Sequence, residues 1–526
     1  MRRNGFFHYL CTLFTIKTQE NMKRIIPFLA LAISALAAEA KVVLPSIYTD
    51  NMVLQQQRTL TLKGKAKPQS EVSLKASWSR TILTAKADGE GMWSMELSTP
   101  KAGGPYTLSF NDGEELTLKN VMVGEVWLGS GQSNMEMPMS TWGGCPVDNY
   151  EVEIKNANYP DIRLFQVKNT IDKEERDCFS MEYDMGGWQE CHSEIMPNYS
   201  AMCYFFALHL YEALKVPVGI ISSDWGGTPF ESWTRSEIIE NVYNTCPVVK
   251  EAKEKGFDRD ALKEIYNSRV ALANRGLGAK PGIEQDPDCI NFPSNLWNAM
   301  IAPLRDFPLQ GFIWYQGCSN VGNAPGYEAG FQAMIDDWRA QWKSPEMPFY
   351  FVQLANFLKP SDLQPESQWA LLREAQAKAL ALKGTGMAVN IDLGDEVNIH
   401  PGTKRELARR LSRIALNQTY GQKKVAFTAP IYQSYRVEGN EMRIQFSEPT
   451  GYEPFEQDEN LPGFIVAGAD RKWHVAKART EGNEVIVSCP EVKTPLAARY
   501  GWADNPTCTL KTKSNLHVAP FRTDNW

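Results

Sequence analysis

From Val121 to Tyr420 the chain alternates apolar strands with amphipathic helices, and this alternation limits the fold more than any other feature. The strands read VMVGEVWLG from Val121, VPVGIISS at 216–223, LQGFIWY at 309–315, FYFVQL at 349–354 and GMAVNIDL at 386–393. Helical periods cover Ala201–Leu214, Tyr327–Trp342, Trp369–Leu382 and Thr403–Tyr420. Strands joined through helices run parallel, because each crossover returns the chain to the same end of the sheet. The expectation is an α/β fold, a doubly wound parallel sheet with helices on both faces. Residues 247–275 read as a charged helical excursion. Residues 143–200 carry little pattern and are expected to form long loops near the site.

Short alternating runs flank this region. LTLKGKA at 60–66, EVSLKAS at 71–77 and MWSMELS at 92–98 lie before it; EMRIQFS at 441–447 and EVIVSC at 484–489 lie after it. Period-two patterning between Gly and Pro clusters marks β-sandwich-like regions. The expected division is a leader at 1–40, an N-terminal β-domain at 41–120, a catalytic domain at 121–422 and a C-terminal β-domain at 423–526. Within the leader, Met22, Lys23 and Arg24 precede an apolar run from Ile25 to Ala38, then Ala38-Glu39-Ala40. That is the layout of a secretory signal ending near Ala40, and the run is short for a membrane span. The protein is therefore expected to be exported, periplasmic or extracellular, with no span in the mature chain. A net charge of −7 argues against a nucleic-acid partner. No CxxC pair is present, and neither a metal nor an organic cofactor is expected.

The chemistry is expected at strand ends, because ligands of an open parallel sheet bind beyond the carboxyl ends of its strands. The strand GEVWLG runs into Ser130-Gly131-Gln132-Ser133-Asn134. Glycines there permit a tight turn and close approach of a substrate. Ser133 is the candidate nucleophile, and Ser130, nearer the strand, is its rival. A serine nucleophile needs a base. Of the histidines beyond the leader, His209 lies in an apolar helix, His474 in a late β stretch and His517 near the C-terminus. His192 falls in the weakly patterned region. His400 follows GMAVNIDL and precedes a helix, again beyond a strand end. Asp392, Asp395 and Glu396 compete to orient it. Asp395 is preferred, and a Ser–His dyad stays open. Preorganised donors for an oxyanion are offered by Gly226-Gly227 after the strand GIISSDW and by Gln316 after FIWY. Gln132, Asn134, Asn320 and Trp225 are candidate substrate contacts. Trp127 and Trp314, inside apolar strands, are expected in the core.

The segment GSGQSNMEM at 129–137 resembles the first block of the SGNH (GDSL-type) hydrolases, in a GQSN form. LPSIYTDNMVLQQ at 44–56, DWGGTPFESW at 224–233, FIWYQGCSN at 312–320, IHPGTK at 399–404, RYGWADNP at 499–506 and PFRTDNW at 520–526 extend the likeness across most of the chain. Together these blocks resemble the sialate O-acetylesterase family. The resemblance implies an SGNH fold over 121–422 and a serine carbohydrate esterase. Its partner would be an O-acetylated glycan, from which acetate is released, with sialic acid as the first expectation. It also implies that Ser133 and His400 are the reacting pair, and that Gly226, Gly227 and Gln316 hold the oxyanion. Acetylated xylan or another polysaccharide is the alternative substrate. The alternative of another class is an inactive carbohydrate-binding protein.

Overall fold

The computed structural model describes residues 41–176, 186–242, 247–256 and 258–526. The leader expected at 1–40 lies outside the described residues, as do Cys178 and Cys246. The described cysteines are free thiols. The chain forms two compact units. The first comprises the described residues 41–44 with Lys63–Met95 and Ser109–Thr117. Its antiparallel pair, Glu71–Ala76 with Ile82–Lys86, is in register at Leu74 and Leu83. Val72, Leu74 and Ala76 are buried, while Glu71 and Lys75 are exposed, as the period of two requires.

The second unit holds Pro45–Leu62, Glu96–Leu108 and Leu118–Trp526. Its central sheet contains β1 (Glu115–Gly131, in this unit from Leu118 on), β2 (Asn158–Gln166), β3 (Gln189–His192), β4 (Val218–Asp224), β5 (Gly311–Tyr315), β6 (Phe349–Val352) and β7 (Thr385–Ala388). The spatial order is β3-β2-β4-β1-β5-β6-β7, parallel throughout except for β3 against β2. Five helices matter for the site: α1 (Ser133–Glu136), α2 (Ala201–Leu214), α3 (Ala324–Gln341), α4 (Gln368–Lys378) and α5 (Lys404–Gln418).

Strand β5 shows why these strands read as unbroken apolar runs. Phe312 and Trp314 pack on Trp338 of α3, and Trp314 also stacks on Phe331. Ile313 and Tyr315 point the other way, into a core shared with Phe205 and Phe206 of α2 and Leu407 and Leu411 of α5. With both faces covered, no position is left for a polar residue. Burying such a ring or branched side chain contributes about 1.5–3 kcal/mol.

One expectation fails. Residues 143–200 are not all loop, since they supply the helix Tyr150–Asn156 and the parallel strand β2. Only Ile162–Phe165 of β2 is fully buried, Pro160 and Asp161 precede it, and its register slips against β3. The apolar signal is too short to read.

The C-terminal part of this unit carries two antiparallel sheets. Ile431–Glu438, Glu441–Ser447, Glu484–Ser488 and Lys477–Glu481 form one; Trp473–Val475, Phe464–Ala467, Ala497–Tyr500 and Phe521–Arg522 form the other. Met442, Ile444, Val485 and Val487 of the first share a core with Phe464, Val466, Tyr500 and Phe521 of the second. The protein is thus mixed α/β, with a large, mostly parallel central sheet and additional antiparallel sheets. Among the described residues no helix is long and apolar enough to cross a membrane.

Candidate active site

The central strands end level with one another. Gly131 of β1 is in register with Asp224 of β4 and with Tyr315 of β5. The segments that follow all three strands therefore leave the same edge, and the cleft lies there. Gly131 has φ +145°, and a Cβ on it would collide with the Tyr315 carbonyl. Only glycine turns the chain so tightly against β5. Ser133 follows at the first position of α1 and His400 arrives on the loop after β7. Ser133 Oγ lies 2.8 Å from His400 Nε2, a hydrogen bond that the hydroxyl can donate.

The cleft has a volume of about 520 Å³ and is lined by Gln132, Ser133, Glu136, Trp142, Trp225, Gly226, Gly227, Cys318, Ser319, Ile399 and His400. A larger cavity of about 830 Å³, lined by Met387, Phe427, Tyr432, His517 and Phe521 among others, brings no nucleophile to a base. Partial burial, then the nearby Lys404 cation, pushes His400 below its ordinary pKa. Its imidazole is neutral at neutral pH and free to accept a proton. The Trp142 ring tilts over it, centroids 5.4 Å apart at 33°. Burial pushes the Cys318 thiol up to about 12, so it does not compete as a nucleophile. Among the described residues no cluster of three or more His, Cys, Asp or Glu is placed to hold a metal ion.

Several expected residues are elsewhere engaged. Asp395 does not reach His400: its Oδ1 accepts the amides of Val397 and Asn398, both at 2.8 Å. A short carboxylate closing its own turn competes successfully with any longer-range partner. Asp392 turns away as well. It binds Arg410 through both oxygens, at 2.6 and 2.7 Å, and His517 at 3.2 Å. Burial would raise its pKa, but these two partners hold it well below the usual carboxylate range. Glu396 is exposed. Among the described residues no carboxylate is bonded to the His400 ring, so the geometry is that of a dyad.

Gln316 is a second correction. It is fully buried and does not line the cleft. Its Nε2 donates to the Thr228 carbonyl at 3.1 Å and to Asn320 Oδ1 at 2.7 Å, leaving no proton for a substrate. Asn320 is engaged as well: its Oδ1 also accepts from the Phe230 amide and its Nδ2 donates to Glu231. Neither contacts the cleft. Asn134 also leaves the set of substrate contacts, since its amide bonds the Ile399 carbonyl and Lys404.

Gly226, Gly227, Gln132 and Trp225 do line the cleft. The Gly226 amide, however, donates to Glu136 Oε2 at 2.6 Å. Glu136 also accepts from Asn169 at 3.0 Å. Burial raises its pKa against these two donors, and buried Asp224 is raised well above the ordinary value by desolvation and by the neighbouring Glu136. A Cβ at Gly226 would sit 3.3 Å from the Ser133 Cβ, so this position abuts the candidate nucleophile. The amides of Ser133 and Gly227 have no protein acceptor among the described residues. Gln132 is anchored through Oε1 by the amides of Gly317, at 3.0 Å, and Ser319, at 3.4 Å. Its Nε2 has no protein partner among the described residues. Glu136, Trp142 and Lys404 were missed from the sequence. Glu136, three residues after Ser133, was findable from helical spacing; Trp142 arrives on the two-residue strand Thr141–Trp142, too short to leave a periodic signal.

A family model described as carbohydrate esterase, sialic acid-specific acetylesterase, matches residues 288–417. The mouse sialate O-acetylesterase is 29% identical over 526 residues, spanning 90% of this chain and 93% of the relative. The human sialate O-acetylesterase is 27% identical over 478 residues, spanning 84% and 83%. The crystal structure of a carbohydrate acetylesterase from Xanthomonas citri superposes with a TM-score of 0.77 at 32% identity, covering 92% of this chain and 100% of that one. By this likeness, sustained over nearly its whole length, the chain belongs to the sialate O-acetylesterase family of carbohydrate esterases.

Proposed function

We propose that this chain hydrolyses O-acetyl esters of sialic acids and releases acetate, with Ser133 as nucleophile and His400 as general base and acid. The observation that carries the reading is the 2.8 Å bond between Ser133 Oγ and His400 Nε2 at the carboxyl ends of the central strands. In this mechanism Ser133 Oγ attacks the acetyl carbonyl carbon while its proton passes to Nε2. The negative charge on the former carbonyl oxygen is met by the amides of Ser133 and Gly227, with Gln132 Nε2 as a side-chain donor. His400 then gives its proton to the departing sugar oxygen. Water, deprotonated by the same nitrogen, attacks the acetyl-enzyme; the imidazolium returns that proton to Ser133 Oγ as the acyl–oxygen bond breaks, and acetate leaves. Among the described residues no carboxylate is bonded to the imidazole, so the Trp142 face is the group that can share the imidazolium charge, through a cation–π contact.

The arrangement of helices on both faces supports a doubly wound SGNH-type domain over 121–422, flanked by β-regions at 41–120 and 423–526. The charged-then-apolar leader supports export. A second reading, a neutral acetylated polysaccharide such as xylan, is favoured by one feature: the described residues lining the cleft include no Lys or Arg to pair a sialate carboxylate. Acetate release from a panel of O-acetylated sialosides and acetylated xylans tests both. Turnover of the sialosides with little on xylan supports the first reading, and the reverse pattern replaces it with the second.

A further inference from the structure

Lys404 belongs to a block singled out in the sequence, IHPGTK, yet the reaction as written does not use it. It is the first residue of α5 and is 1% exposed. Lysine is rarely buried so fully unless a carboxylate pairs it, and here its ammonium meets neutral oxygens. Nζ donates to Asn134 Oδ1 at 2.7 Å and to the Pro401 carbonyl at 2.7 Å. Asn134, the residue after the nucleophile, donates in turn through Nδ2 to the Ile399 carbonyl at 2.9 Å. The peptide carbonyls on either side of His400 are therefore both tied to Asn134, one directly and one through Lys404. A methionine of similar length would fill the space without the cost of burying a charge.

We propose that Lys404 is a positioning residue for the esterase step, clamping the loop that carries His400 onto the turn that carries Ser133 and setting a positive charge beside the base. The inference rests on the reading of Ser133 and His400 as the reacting pair. Its geometric half follows from the three bonds above: without them the Ser133–His400 hydrogen bond itself is the one side-chain tie left, among the described residues, between the His400 loop and the nucleophile's turn. Its electrostatic half follows from what surrounds each group. His400 faces Ser133 and Lys404, with Glu136 and Cys318 elsewhere on the cleft wall. Lys404 faces the Cys318 thiol, Asp148 and Cys145, and its Nζ lies 5.8 Å from the centre of the Tyr315 ring. Burial pushes Lys404 down to about 7, with Cys318, Asp148 and Cys145 opposing. At the acid end of the activity profile the ammonium is charged and disfavours a second cation at His400.

The test compares kcat, KM and the pH profile of kcat/KM on one acetyl ester for wild type, Lys404→Met and Asn134→Leu, each checked for folding by circular dichroism. Ser133→Ala and His400→Ala run alongside. A base displaced by about 1 Å costs on the order of 10²-fold in rate. Lys404→Met should lower kcat by about that factor with KM little changed, and should move the acid limb to higher pH, since the opposing cation is gone. Asn134→Leu cuts two of the three ties but keeps the charge, so kcat should fall while the acid limb does not rise. A folded Lys404→Met with wild-type kcat, or with lost kcat and an unmoved acid limb, overturns the proposal. If Lys404→Met does not fold, Asn134→Leu carries the test, and wild-type kcat there overturns it. Normal turnover by Ser133→Ala or His400→Ala sinks the underlying reading; if both are inactive, a failure at Lys404 belongs to this proposal alone.

Discussion

Replacing Asp392 with Asn should unfold the protein more easily and leave its chemistry nearly intact. Asp392 sits a few residues before His400 and is a natural candidate for a triad acid, but its oxygens face Arg410 and His517. Arg410 is 2% exposed and depends on Asp392 for two of its short bonds. Asn keeps one acceptor and turns an NH2 group toward either the guanidinium or His517. Breaking a buried ion pair from one side costs about 3–5 kcal/mol. Glu406 remains within 3.2 Å of Arg410, and Asp392 keeps some solvent contact, so the loss belongs near the low end, about 3 kcal/mol. The assay is urea unfolding followed by tryptophan fluorescence, beside kcat under native conditions. The sign with pH also follows. The native carboxyl is depressed, so its contribution is complete above the ordinary carboxylate pKa of about 4 and fades as pH falls toward the lower native value. The gap between wild type and Asp392→Asn should therefore narrow in acid. A folded variant with kcat down 100-fold or more would refute the reasoning, because it would tie Asp392 to His400; unchanged stability would refute the ion-pair account.

Asp395→Asn should keep kcat within about twofold, since an amide oxygen still accepts the Val397 and Asn398 amides and only a loss far beyond that, of the roughly 10⁴-fold seen when a triad acid is neutralised, would restore a triad. Gln316→Leu should appear first as instability of about 1–3 kcal/mol in thermal or urea unfolding, because it strands the Thr228 carbonyl and removes one of the two donors to Asn320 Oδ1. A stable Gln316→Leu enzyme with kcat reduced by about 10²–10³ would instead return Gln316 to the oxyanion site.

These corrections show what the sequence could carry. The helix Ala201–Leu214 and the strand end at Tyr315 were legible because burial on both faces writes long apolar runs. The position of Ser133 followed from a glycine turn after such a run, and that of His400 from the scarcity of other histidines. The direction in which a polar side chain points beyond a strand end is not written in any period. Gln316 and Ser133 both follow parallel strands, yet one is folded inward onto Asn320 and the other opens to the cleft. Asp395 lies close enough in sequence to His400 to suggest a triad, but its own turn claims it first. The clamp through Lys404 joins residues 270 positions apart and has no local signature.

The central claim is that Ser133 and His400 form the reacting pair without a carboxylate. Acetate release from an acetyl ester, measured for wild type, Ser133→Ala and His400→Ala with folding verified for each, tests it most directly. The account predicts that each single variant loses about 10⁴-fold or more in kcat and that the double variant loses scarcely more, because the two act as one unit. Either single variant turning over at an ordinary rate would contradict it.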